Sequence, residues 1–153
     1  MSLSFFGFTQ KVVKMYFGNH LLSLDHQVDP KTGVDNGYYK KYDYDGKLTL
    51  EGFYKMGKRN GVWKQYNQYG KVVYLSTFQN DILNGLYKEW DENGTHLVKS
   101  YVYKNGEVIK QTTYWPNGVI RRYADKDTTI NYSNKGVSNL TIINGKYYIT
   151  IVR

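Results

Sequence analysis

Cysteine is absent from this 153-residue chain, and only two prolines occur. The first absence excludes disulfides, thiolate-ligated zinc and a cysteine nucleophile. It leaves the redox compartment open, because a reducing cytosol and a disulfide-free exported protein look alike. The scarcity of proline leaves strands uninterrupted, while fifteen glycines supply turns. Long hydrophobic runs are missing too: no window approaches the ~18–20 apolar residues of a membrane-spanning helix. No stretch keeps helical periodicity over ten residues or more. Acidic residues are fewer than basic ones, 13 Asp and Glu against 21 Lys and Arg, for a net charge of +8. That balance favours anionic partners, although scattered lysines also serve solubility and guard sheet edges.

What the chain does hold is tyrosine, 17 of them, and a 24-residue period. Gly37-Tyr38-Tyr39-Lys40-Lys41-Tyr42 is followed by Gly61-Val62-Trp63-Lys64-Gln65-Tyr66 and Gly85-Leu86-Tyr87-Lys88-Glu89-Trp90. An aromatic recurs at Tyr42, Tyr66, Trp90 and Tyr114, and a glycine four residues later at Gly46, Gly70, Gly94 and Gly118. Asn-Gly recurs at 36–37, 60–61 and 84–85, and a small residue at Gly52, Ser76, Ser100 and Ala124. Columns locked to one period signal a repeat architecture.

Each unit reads as two strands. The first leads from the Asn-Gly to the aromatic. A polar tetrapeptide such as Asn67-Gln68-Tyr69-Gly70 turns the chain, its final glycine suited to a left-handed conformation. A longer strand such as Lys71–Phe78 follows, then a looser loop over Gln79–Asn84. Short strands, frequent turns and short links predict an all-β, elongated, twisted antiparallel meander, a single-layer sheet of tandem β-hairpins. The array spans 33–127. Residues 1–32 read as N-terminal capping strands, residues 1–9 among them as a capping strand or a loose arm, and 128–153 as C-terminal capping hairpins. The fourth unit departs: Ile109 and Gln111 replace the glycine and the aromatic, and Asn105-Gly106 turns earlier than the frame asks. Met1–Phe8 lacks a basic region before its apolar run and a small-residue cleavage site after it. It is therefore not read as a signal peptide, and a cytoplasmic location is expected.

The pattern G-x-[WY]-x-x-[YW]-x-x-x-G, carried by Gly37/Tyr39/Tyr42/Gly46, Gly61/Trp63/Tyr66/Gly70 and Gly85/Tyr87/Trp90/Gly94, resembles the MORN-repeat family. It is most similar to the bacterial variants described as YwqK-type antitoxins. The resemblance covers roughly 33–124. It implies a binding scaffold: the bacterial variants are associated with neutralising a toxin by protein–protein contact, and other MORN proteins have been proposed to bind acidic phospholipids.

Three columns are candidate partner-binding residues. Tyr39, Trp63 and Tyr87 fall on the face opposite Tyr42, Tyr66 and Trp90. One aromatic column serves as packing between repeats, and the other is a platform of the residues that anchor interfaces. Lys40, Lys64 and Lys88 lie on the Tyr42 face, about 10 Å apart. They suit an acidic protein strip, a phosphate backbone or, with the aromatics, single-stranded nucleic acid; a solvated row is the simpler alternative. His20, Asp25, His26 and Asp29 fit no zinc spacing, so no metal and no cofactor is expected, and no catalytic constellation is present. The expectation is a non-enzymatic protein-binding scaffold, antitoxin- or immunity-like, that occludes a partner. The alternatives are an anion-binding module for acidic phospholipid or single-stranded nucleic acid, and self-association.

Overall fold

Residues 10–149 are described by a computed structural model, without side-chain description for 138–140 and 147–149. The expectations for residues 1–9 and for the end of the closing cap, 150–152, lie outside that range.

The tetrapeptide turns form as their composition dictates. Asp43 N–H donates to the Lys47 carbonyl and Gly46 N–H to the Asp43 carbonyl, with Gly46 at φ +75. The same pair of bonds closes the turns that begin at Asn67, Trp115 and Ser133. At Asp43, Asn67 and Ser133 the side-chain oxygen of the first residue locks the turn: Asn67 Oδ1 accepts from the N–H groups of Tyr69 and Lys71 at 3.0 and 2.9 Å. These turns lie along one long edge of the sheet.

Tight turns line the other edge. Met56-Gly57, Asn80-Asp81, Asn105-Gly106 and Asn144-Gly145 all have φ between +48 and +87 at both residues, the mark of a two-residue hairpin turn whose twist matches its strands. Two expectations are corrected here. Gln79–Asn84 is no loose loop, since Gln79 pairs with Ile82 directly across Asn80-Asp81. The first strands do not start at the Asn-Gly pairs at 60–61 and 84–85, which lie inside continuous strands. There the glycines take positive φ, +75 at Gly61 and +119 at Gly85, and form bulges. Pairing jumps from Glu51↔Lys64 to Phe53↔Asn60, leaving two extra residues on the later strand. The lifted backbone then captures the neighbouring turn: Gly57 N–H bonds the Asp35 carbonyl, Asp81 N–H that of Arg59, and Gly106 N–H that of Leu83.

Between these edges the described residues form thirteen strands: β1 (Lys11–Tyr16), β2 (Leu22–Val28), β3 (Asp35–Tyr42), β4 (Leu48–Lys55), β5 (Lys58–Tyr66), β6 (Val72–Gln79), β7 (Ile82–Trp90), β8 (Leu97–Lys104), β9 (Glu107–Tyr114), β10 (Ile120–Asp125), β11 (Thr128–Tyr132), β12 (Ser138–Ile143) and β13 (Lys146–Ile149). They form one sheet in chain order, every neighbour antiparallel. The expected all-β single-layer meander is therefore what the chain adopts. At about 4.8 Å per strand the sheet extends about 60 Å. A single layer has no thick core: among the described residues no large side chain is completely buried, and only Val28, Trp63 and Val73 form a hydrophobic interior. Stability must come from packing between neighbouring side chains on each face.

Candidate functional site: two unlike faces of one sheet

Cross-strand register sorts the side chains into two faces. The first is aromatic. Tyr39 pairs with Gly52 and Trp63 with Ser76, and both aromatics lie on this side. Trp63 folds back over β4. Its ring lies 4.9 Å from Tyr54 and 5.6 Å from Tyr39, and its indole N–H donates to the Phe53 carbonyl at 3.2 Å. Gly52 makes this possible, because a Cβ there would meet the indole at 2.2 Å. The result is the best-buried large side chain of the described region, 5% exposed.

Tyr87 occupies the equivalent position one repeat later but behaves differently. Its ring stacks on Tyr101 at 5.8 Å and 23°, and approaches Tyr103 at 6.2 Å. Both lie on β8, ahead of it in the chain, and both are nearer than Tyr74 on β6 behind it, at 6.5 Å. Register explains the change. The small-residue column predicts Ser100 opposite Tyr87, yet Tyr87 pairs with Tyr101, and Ser100 pairs with Lys88 on the other face. The turn after Trp90 holds one residue more than its counterparts: Asp91 N–H bonds the His96 carbonyl, whereas Asn67 N–H bonds that of Lys71. Asp91 stabilises the longer turn by accepting from Thr95 N–H, Thr95 Oγ1 and His96 Nδ1 at 2.7, 2.8 and 3.0 Å. The Thr95 N–H, then His96, hold its carboxyl well below the usual carboxylate range. His96 accordingly sits in this turn, before β8 begins at Leu97.

The next bulge removes the extra residue. Val102 pairs with Lys110 and Tyr103 with Val108, so only Ile109 is extra where the earlier bulges had two. Isoleucine resists the positive φ that Gly61 and Gly85 adopt. The two changes cancel, which is why Tyr114 keeps the 24-residue frame. Asn105-Gly106 therefore turns one residue later than the Asn80-Asp81 precedent requires, not earlier.

The second face carries the lysines. Pairing gives one row across the sheet: Lys14, Asp25, Lys40, Glu51, Lys64, Leu75, Lys88, Ser100, Thr112. Lys40 and Lys64 thus alternate with carboxylates. Lys64 Nζ lies 3.2 Å from Glu51 Oε1, and Lys14 Nζ 3.8 Å from Asp25 Oδ2. Lys88, flanked by Leu75 and Ser100, makes no ion pair among the described residues. Tyr66 belongs to this face, donating to Glu51 at 2.6 Å. That bond, then Lys64, hold the Glu51 carboxyl below its ordinary range, while burial and then the Glu51 bond push the Tyr66 phenol up to about 12. Tyr42 and Trp90 are half-buried.

Sequence reasoning singled out Tyr39, Trp63 and Tyr87 but missed Tyr54, Tyr74, Tyr101 and Tyr103, which share their face, and Phe78, over whose ring Arg59 stacks at 4.0 Å. The signal was present as period-two alternation in the longer strands, Tyr74-x-Ser76-x-Phe78. His26 and Asp29 are otherwise engaged: His26 pairs with Asp35 at 2.5 Å, and Asp29 accepts from the Lys31 and Thr32 N–H groups. No cluster of three or more metal-ligating side chains occurs among the described residues, and no helix there is long and apolar enough to cross a membrane.

An open sheet of tandem hairpins, with chemistry displayed on two faces, defines a repeat scaffold of the binding type. Residues 35–56, 59–80 and 83–105 each match the MORN repeat variant, so the chain carries three tandem MORN-variant repeats. The third match is one residue longer than the first two, and the additional residue is the one in the Asp91–His96 turn. No curated protein matches the sequence. Repeats of this kind are associated with binding proteins or membrane lipids.

Proposed function

We propose that this chain is a cytoplasmic, non-enzymatic protein-binding scaffold that occludes its partner with the aromatic face, in the manner of an antitoxin or immunity protein. The observation that carries this is the extent of that face. Tyr39, Tyr54 and Trp63 form one cluster of rings over β3–β5, and Tyr74, Tyr87, Tyr101 and Tyr103 form a second over β6–β8. Most remain partly exposed, and exposed Tyr and Trp ordered by packing are the residues that anchor protein interfaces. The lysine face fits an anionic polymer or lipid surface less well. Asp25 and Glu51 interrupt its row, and an interleaved row offers alternating charge instead of a basic strip.

The two faces are separable by experiment. Affinity capture from the native cell, followed by mass spectrometry, is run with wild type, with Gln65→Glu/Tyr74→Glu on the aromatic face, and with Lys40→Ala/Lys64→Ala/Lys88→Ala on the other. The expected result is a stoichiometric protein partner retained by the lysine variant and lost by the aromatic-face variant. Loss with the lysine variant alone, or binding to vesicles of acidic phospholipid that falls steeply with salt, would transfer the function to the second face.

A further inference from the structure

The repeats differ in one place that has the shape of a vacancy. Over Gly52, the ring of Trp63 fills the space bounded by Tyr39 and Tyr54. One repeat on, Ser76 takes the place of Gly52, Trp63 that of Tyr39 and Phe78 that of Tyr54. The ring that should fill this second space, Tyr87, is turned toward Tyr101 and Tyr103 instead. What remains is a hollow of about 320 Å³ lined by Leu50, Tyr54, Trp63, Tyr74, Ser76 and Phe78, with Arg59 at its rim.

We propose that this hollow receives an aromatic side chain of the protein partner, carried on an acidic segment. The inference rests on the aromatic face being the binding face. Three observations support it. First, the corresponding space one repeat earlier is occupied by an indole, so the geometry of the repeat is already that of a ring receptor. Second, Ser76 keeps the hollow open from within: a Cβ at Gly52 would stand 2.2 Å from the Trp63 ring, and Ser76 carries that atom, so a ring cannot fold flat onto β6 from β7. Third, the surrounding charge is positive. Lys41, beside Leu50 in the adjacent strand, is exposed and makes no ion pair among the described residues, whereas the Arg59 guanidinium over Phe78 is already paired with Asp81 at 2.9 Å. The volume lies at the low end of the ~300–1,000 Å³ usual for ligand sites, enough for one ring and its immediate flanks.

The test uses the full chain, ¹⁵N-labelled, titrated with the peptide acetyl-Glu-Glu-Trp-Glu-Glu-amide and with its leucine and Lys-Lys-Trp-Lys-Lys counterparts, followed by NMR. The expected result is shifts centred on Ser76, Phe78 and the Trp63 indole N–H. Binding of the leucine peptide should be weaker by about tenfold or more, the loss expected when an anchoring ring is truncated. The lysine-flanked peptide should also bind more weakly. Ser76→Phe, which fills the hollow from its floor, should abolish the effect. Lys41→Glu, at an exposed position where folding is not at stake, should weaken the acidic peptide and leave the sheet's amide spectrum in place. Equal binding of the leucine peptide, shifts centred on Tyr101 or on Lys40 and Lys88, or no shifts at all would overturn the proposal. Absent shifts alongside a captured partner still lost by Gln65→Glu/Tyr74→Glu would sink the hollow and leave the scaffold reading standing. Peptide shifts at Ser76 with a partner indifferent to that variant would do the reverse.

Discussion

Trp63 and Tyr87 stand at the same position of successive repeats, yet one is locked onto the strand behind it and the other leans onto the strand ahead. The sequences around them differ little. Glycine becomes serine at 76, and one residue is added between Trp90 and Leu97. The first change blocks the backward packing, and the second supplies Tyr101 as a forward partner. In a single-layer sheet, where no second layer dictates packing, one Cβ and one turn residue suffice to reverse the direction in which a ring column leans. The repeat therefore conserves its backbone ladder while its surface is reworked.

The comparison can be broken at its strongest point first. Trp63→Ala removes the ring on which β3, β4 and β5 converge and should cost about 3–5 kcal/mol, read as a lowered midpoint in urea unfolding followed by circular dichroism. Next, Gly52→Ala against Ser76→Ala isolates the Cβ. The first forces the indole off the sheet at about 1–3 kcal/mol; the second removes only a hydroxyl at a half-buried site and should stay within about 0.5 kcal/mol. Equal costs at the two positions would show that Gly52 does not matter in the way proposed.

A smaller effect separates the faces by pH. The Tyr66 phenol is raised from 10.0 to about 12, so its neutral form is favoured in the folded state. That contribution is fully present below pH 10 and is lost as pH rises toward 12. Glu51 is lowered from its ordinary 4.5, so its contribution is present above that pH and disappears as the carboxyl protonates below it. Tyr66→Phe should cost about 1 kcal/mol at neutral pH and flatten both limbs of a melting-temperature profile. A profile unchanged by the substitution would refute the role given to this bond. Smallest of all, Lys64→Ala against Lys88→Ala should differ by no more than ~1 kcal/mol, the Lys64 variant losing its pair with Glu51 and the Lys88 variant losing nothing measurable.

How much of this was legible beforehand depends on which residues carried it. The meander was legible because aromatics and glycines at fixed spacing mark strand and turn in every unit. The turns were half-legible. Asn-Gly has one composition and two uses here: at 105–106 and 144–145 it makes the hairpin turn, at 60–61 and 84–85 a bulge. Meanwhile Met56-Gly57 and Asn80-Asp81 turn the chain without that signature. The shift at Tyr101 was not legible, because the residue gained before Leu97 is given back at Ile109 and the outer columns keep their spacing. Only pairing across the sheet reveals that Ser100 and Tyr101 have changed faces. The candidate columns themselves were visible, but the carboxylates that interleave with Lys40 and Lys64 come from neighbouring strands and have no period of their own.

Strand order follows chain order without exception across the described sheet. Every ladder is therefore closed by a hairpin, and no pairing waits on a distant segment. Such a chain has low contact order and is expected to fold quickly, from whichever hairpin forms first. Damage is local as well: opening a terminal strand exposes one new edge and leaves the interior ladders intact. A partner seated near Ser76 on β6, with five described strands on one side and seven on the other, would clamp the middle of the array. Its binding should be registered as slowed hydrogen exchange in β4 through β8, while the outer hairpins continue to breathe.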